Sequence, residues 1–128
     1  MSAASRKPTR RALTFFLGLG LGVATSSGSV PQAAAQGAFY DGLQAEDAAR
    51  ALSAFQQTLE TRVSHRLAHW RNDATGTSGS VMPLRTFRIR TGHYCREYVE
   101  TILATGKIMS RVGTACRDDG GAWIPVPQ

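Results

Sequence analysis

The chain has 128 residues, with fifteen Lys and Arg against nine Asp and Glu and a formal net charge of +6. Four of those basic residues and none of the acids precede residue 36, so the remainder carries eleven against nine, a formal charge of +2. That near-balance, without helix-turn-helix, zinc-ligand spacing or a ladder of stacked aromatics, speaks against nucleic-acid binding.

Met1 to Arg11 holds Arg6, Lys7, Arg10 and Arg11 and no acid. Leu13 to Ala24 is apolar but too short to span a bilayer comfortably, and Ala33-Ala34-Ala35 supplies small residues for cleavage before Gln36. Residues 1–35 therefore read as an export signal, and the expected address is the periplasm or the outer-membrane or cell surface. Thr9-Arg10-Arg11-Ala12-Leu13 loosely resembles the twin-arginine consensus, yet paired arginines also open ordinary signals, so both export routes stay open. No cysteine lies near the cleavage region, so a soluble mature form is expected, whereas an uncut signal would make a weak membrane anchor.

Gln36 to Gly42 reads as a flexible lead, and residues 43–128 as a single helix-plus-sheet domain. Asp41 is the expected N-cap of a helix beginning near Leu43, with Glu46 and Asp47 at its positive end. Ala45, Ala48, Leu52, Phe55 and Leu59 recur at spacings of three and four, which predicts an amphipathic helix to about Thr61. The period then changes to two. Val63, His65, Leu67 and His69 alternate with Arg66, Ala68 and Trp70, predicting a strand, and residues 74–79 form a polar loop. The next extended stretch runs from about Ser80 to Arg90, with Pro83 marking a break or an edge. Thr91-Gly92 predicts a tight turn that pairs Ile89 with Tyr94.

The only two cysteines organise the C-terminal half of the chain. A two-residue turn at Thr105-Gly106 sets Ala104 opposite Lys107, and counting outward brings Cys95 opposite Cys116 at a close, non-hydrogen-bonded position suited to a disulfide. The same register matches Glu97 with Thr114, Val99 with Val112, Thr101 with Ser110 and Leu103 with Ile108. On the other face it matches Glu100 with Arg111 and Ile102 with Met109, and lays Tyr98 over Gly113. Asp118-Asp119-Gly120-Gly121 is a turn signal that returns Ala122-Trp123-Ile124 beside Ala115-Cys116, placing an indole near the disulfide. The expected fold is α+β: one N-terminal amphipathic helix packed on a small antiparallel meander of about four or five strands, locked by one disulfide. A chain of this size buries only about 60–65% of its unfolded surface, so the crosslink matters.

The candidates for chemistry are thin. His65 and His69 on one strand would stand about 13 Å apart, too far to share an ion, and His93 lacks ligands at metal spacing; no metal and no cofactor are expected. Glu97 and Glu100 fall on opposite faces of their strand and cannot cooperate as an acid pair. Ser78 and Ser80 lie in a Gly-rich loop without a nucleophile elbow, and no catalytic residue is expected. Residual positive charge gathers in Arg85, Arg88, Arg90 and Arg96. Arg96 and Arg117 flank the cysteines with Glu97 adjacent, so Arg88, Arg96, Glu97 and Arg117 form a possible binding patch for an anionic envelope component. The competing reading is a cross-strand charge network that fixes the sheet beside its crosslink.

The run Trp70, Thr75-Gly76, Gly79, Val81, Pro83, Thr86-Phe87, Gly92, Tyr94-Cys95-Arg96-Glu97-Tyr98, Gly106, Gly113, Ala115-Cys116-Arg117, Asp119-Gly120 and Trp123 resembles the C-terminal domain of the rickettsial seventeen-kilodalton surface antigen family. The resemblance implies a bacterial envelope protein with no known reaction, often an outer-membrane lipoprotein. The lipid-attachment cysteine and glycine-zipper segment of that family are missing, because Gly18, Gly20 and Gly22 fall inside the signal, so membrane association is not expected after signal removal. The leading expectation is a non-enzymatic envelope protein with a structural or interaction role and an envelope component or protein as partner. The alternative is a secreted module that inhibits a hydrolase such as a lysozyme or protease, a reading that rests on fold analogy alone.

Overall fold

The computed structural model describes residues 37–127, so the expected export signal at 1–35 lies outside the described residues. A turn of 3-10 helix, Gly37–Tyr40, leads into helix α1, Ala45–Thr61. Five strands come after it: β1 (Ala68–Arg71), β2 (Ser78–Arg88), β3 (Tyr94–Ala104), β4 (Lys107–Arg117) and β5 (Trp123–Pro125). They form one antiparallel sheet in chain order, with α1 packed on one face, which is the α+β architecture expected.

The β3–β4 hairpin has the register that its cysteines imply. Thr105 and Gly106 both adopt positive φ, 50° and 74°, as a two-residue turn compatible with sheet twist requires. All ten pairs form, from Ala104 opposite Lys107 to Cys95 opposite Cys116, and the sulfurs are bonded with Cα atoms 4.0 Å apart. Gly113 leaves room for the Tyr98 ring, since a Cβ there would stand 2.9 Å from Tyr98 Oη.

Elsewhere the structure departs from the simple pattern. The helix starts at Ala45 with Gln44 at the cap position, because Asp41-Gly42 is spent on a turn that closes with Leu43 N–H donating to the Tyr40 carbonyl. Its buried stripe is Asp47, Ala51, Phe55, Thr58 and Leu59, with Ala45 exposed: two polar residues occupy core-facing positions that an apolar count passes over. The segment before the helix is no flexible lead at Tyr40, whose ring is buried and whose hydroxyl donates to Glu100 at 2.6 Å.

The strand predicted from Val63 shrinks to Ala68–Arg71. Val63 is 67% exposed, and a turn at Ser64-His65 puts His65 at φ 64°. Pro83 explains the stop: it has no N–H to extend the β1–β2 ladder beyond Ala68–Val81, and its carbonyl accepts the His65 N–H at 2.7 Å instead. The second hairpin turns one residue differently. Ile89 donates to the His93 carbonyl around Arg90-Thr91-Gly92, with Gly92 at φ 91°, so Arg88 faces Tyr94 and Phe87 faces Cys95. A bulge between Pro83 and Thr86 restores alternation farther along β2.

The sheet thus has two unlike faces. Toward α1, Val81, Tyr98, Ala115 and Trp123 close on Phe55 and Leu59, while Ile102 packs with Tyr40 and Ala51. On the opposite face Phe87, Cys95, Cys116 and Ile124 lie in one lateral row. Trp123 pairs with Arg117 and faces the helix, so Ile124, and not the indole, is the cross-strand neighbour of the disulfide.

Candidate functional site

Beyond the C-terminal turn of α1 the sheet continues, and the step between them is a cavity of about 380 Å³ lined by Leu59, Glu60, Thr86, Tyr94, Arg96, Arg117 and Trp123. Strand pairing assembles it. Thr86 lies opposite Arg96, Arg96 opposite Ala115, and Arg117 opposite Trp123, so their side chains project from the face that carries the helix.

Arg96 is the centre of the arrangement. It is 7% exposed, and its Nη1 donates to the carbonyls of Leu59 at 2.6 Å and Arg62 at 2.8 Å, while Nη2 reaches Ser64 Oγ at 3.4 Å. These carbonyls are among those a helix leaves unpaired at its C-terminus, where a cation is favoured. Among the described residues its Nε–H, itself closed to solvent, has no acceptor. Burial holds the guanidinium pKa below its ordinary value, since charge costs more away from water.

Arg117 and Glu60 are bound to each other. Arg117 donates from Nε at 2.9 Å and Nη2 at 3.1 Å to the two Glu60 oxygens, and Trp123 Nε1 adds a third hydrogen bond at 2.8 Å. The hydrogen bonds from Arg117 and Trp123 hold the Glu60 carboxyl below the usual carboxylate range, and the bond to Glu60 raises the Arg117 pKa. Gln56 locks the same strand by exchanging hydrogen bonds with the Trp123 backbone at 2.7 Å in each direction. Outside the lining, Arg88 lies 5.0 Å over the Tyr94 ring and donates to the Gly92 carbonyl.

Of the four residues that sequence singles out, Arg88, Arg96 and Arg117 share this face. Glu97 does not: it sits on the opposite face, where Arg85 donates to it at 2.8 Å and holds its carboxyl below the usual range. The cross-strand network expected of Arg96, Glu97 and Arg117 is replaced by links to the helix. Glu60 and the Leu59 carbonyl were missed because no spacing in the sequence couples them to residues tens of positions away. The histidines are dispersed, His65 at a turn, His69 on β1, and His93 against Asp119 at 2.9 Å.

Two further polar clusters are built around buried acids. Glu100, fully buried, accepts from Tyr40 and is paired with Arg111 at 2.6 Å, and the Arg111 guanidinium lies 4.2–5.6 Å from the ring centres of Phe39, Tyr40, Phe55 and Tyr98. Burial raises the Glu100 pKa against the opposing pull of Tyr40 and Arg111, and burial with the nearby Glu100 raises that of Tyr40. Asp47 accepts from Asn72 at 2.7 Å and from Thr75 at 2.9 Å, pinning the β1–β2 loop to the first turn of α1. Burial opposes its charge, but hydrogen bonds from Asn72, Thr77 and Thr75 outweigh that and lower its pKa.

Among the described residues, no helix is long and apolar enough to cross a membrane. Residues 57–124 match the family described as 17 kDa outer membrane surface antigen. Over 82 residues the chain is 40% identical to the 17 kDa surface antigen of Rickettsia conorii and 38% identical to that of Rickettsia bellii, covering 64% of this chain and 52% of each antigen. Identity to the 17 kDa surface antigen of Rickettsia prowazekii is 41% over 68 residues, 53% of this chain and 43% of the antigen. The chain spans about half the length of these curated relatives. No solved structure matches it.

Proposed function

The chain belongs to the 17 kDa outer membrane surface antigen family, and from that membership we infer that it works in the bacterial envelope as a non-enzymatic structural or interaction protein, exported to the periplasm or cell surface. One observation carries the reading. The Cys95–Cys116 bond staples neighbouring strands, and such a bond forms and persists in oxidising compartments outside the cytoplasm. The buried acids agree with a structural role, because each holds two elements together: Asp47 ties helix to loop, and Glu100 ties the Tyr40 segment to the sheet.

Crosslinking of intact cells, capture of the protein and N-terminal sequencing of the captured chain test the reading. The expected result is an envelope-fraction protein that begins near Gln36, carries an intact disulfide and is crosslinked to an envelope component. Recovery from the cytoplasm with both thiols open to alkylation before reduction would overturn it.

A further inference from the structure

We propose that the free edge of β1, with the flank of α1 beside it, is a docking groove for an extended acidic peptide segment of a partner protein, which adds to the sheet as a further strand. The groove shares no lining residue with the cavity beside Arg96, and the inference does not rest on the envelope reading.

Among the described residues β1 pairs with β2 alone and is an edge of the sheet. In an antiparallel pair every second residue turns its backbone N–H and C=O away from the neighbouring strand. Asn72 N–H donates to the Thr77 carbonyl at 2.8 Å, which fixes the phase: Ala68 and Trp70 bond to β2, and His69 and Arg71 turn both backbone groups outward. Those groups face no other strand. Beside them is a cavity of about 350 Å³, lined by the whole of β1 and by a flank of α1 that includes Arg50, Ser53 and Gln57, with Arg62 just past the helix end. The groove is open, since Arg50, Ser53, Gln57, Arg62, His69 and Arg71 are all exposed. Trp70 packs toward the helix, so alternation carries the His69 and Arg71 side chains to the other face of the sheet, and the helix wall is small at Ser53 and Ala54.

The edge selects a peptide, because an extended chain supplies alternating N–H and C=O groups at the spacing of a strand. Charge selects the kind of peptide. Three arginines and no acid line the groove. Asp47 holds Asn72 and Thr75 at the first turn of α1, so the helix runs antiparallel to β1, with Arg50 at the Arg71 end of the groove and Arg62 at the Ala68 end. Glu46 and Asp73 offset Arg50 and Arg71 from outside the lining, whereas Arg62 has no acid partner among the described residues. An acidic side chain on the incoming strand therefore gains most at Arg62.

NMR titration and amide hydrogen exchange of the full oxidised chain with the capped heptapeptide Glu-Val-Ser-Val-Ser-Val-Glu test the groove. The peptide is expected to shift the His69 and Arg71 backbone N–H resonances saturably and to slow their exchange. Three controls are expected to leave that exchange unchanged: the same peptide with Lys in place of Glu, the same peptide with every amide N-methylated, and dextran sulfate, a polyanion without a peptide backbone. Ser53→Phe, at an exposed position on the helix wall, fills the groove and is expected to abolish the protection, and Arg62→Gln is expected to weaken binding about fivefold. Equal protection by the lysyl or N-methylated peptide, protection by dextran sulfate, or protection that grows with protein concentration alone and so marks a second copy would each overturn the proposal. Undiminished binding by either variant, or no response to the glutamyl peptide, would overturn it as well.

Discussion

Glu100 is a carboxylate without solvent contact whose oxygens are divided between the Tyr40 hydroxyl and Arg111. Such a pair adds little net stability over an apolar substitute, but breaking it leaves the surviving charge uncompensated. Glu100→Ala is therefore expected to lower unfolding free energy by about 3–5 kcal/mol in urea titration. Tyr40→Phe keeps the ring against Arg111 and removes one hydrogen bond to a charged group, with an expected loss of about 1.5–3 kcal/mol. Gly79 presents a steric problem of similar size. A Cβ there would stand 2.5 Å from Trp70 Nε1 and 2.8 Å from the Thr101 carbonyl, and the second contact is backbone on the neighbouring strand. Gly79→Ala is expected to cost about 1–3 kcal/mol and to shift the Trp70 indole resonance.

At the scale of elements, the disulfide joins the central strand to β4 across a sequence separation of 21 residues. A closed loop of that size is worth about 3 kcal/mol by loop entropy. Replacing both cysteines with serine is expected to lower stability by about that amount, with exchange protection lost first in β5, whose three residues pair only with Ala115 to Arg117. This hairpin was legible in the sequence because turn chemistry and two cysteines gave independent statements of one register. The preceding hairpin was legible as an element but its register was not, since Thr91-Gly92 fits loops of two or three residues, and the single difference moved Phe87 rather than Arg88 opposite Cys95. The helix was legible as an element, but its buried face was not, because Asp47 enters the interior on hydrogen bonds that form only after the chain has folded, and Thr58 carries no apolar signal although it is buried. The same limit applies to the candidate site: the arginines were visible, while the carbonyls that hold Arg96 have no residue signature at all.

Acids fasten both ends of α1 to the rest of the molecule, and they contribute to its response to pH. Asp47 fastens the first turn to the β1–β2 loop, and Glu60 fastens the last turn to Arg117 and Trp123. Both have folded pKa values below their ordinary 3.8 and 4.5, so their contributions are complete above those values and are lost as pH falls through the lowered ones. Glu97, lowered from 4.5 by Arg85, acts in the same direction on the open face. Glu100 has the opposite sign. Its folded pKa is raised, so its ionisation opposes folding fully above that raised value and ceases to do so below 4.5. Between its raised value and 4.5 the Glu100 contribution makes stability rise as pH falls, and as pH drops through the lowered values of the other three acids stability falls. Urea titrations across this range are expected to show a mildly acid maximum. In Glu100→Gln the rise should vanish while the acid loss remains, and superimposable profiles for the two proteins would contradict the assignment. Because Asp47 and Glu60 both have lowered pKa values and fasten opposite ends of one helix, α1 is expected to leave the sheet as a unit in acid, with Trp123 fluorescence and helical ellipticity changing together, while the disulfide keeps β3 and β4 in register.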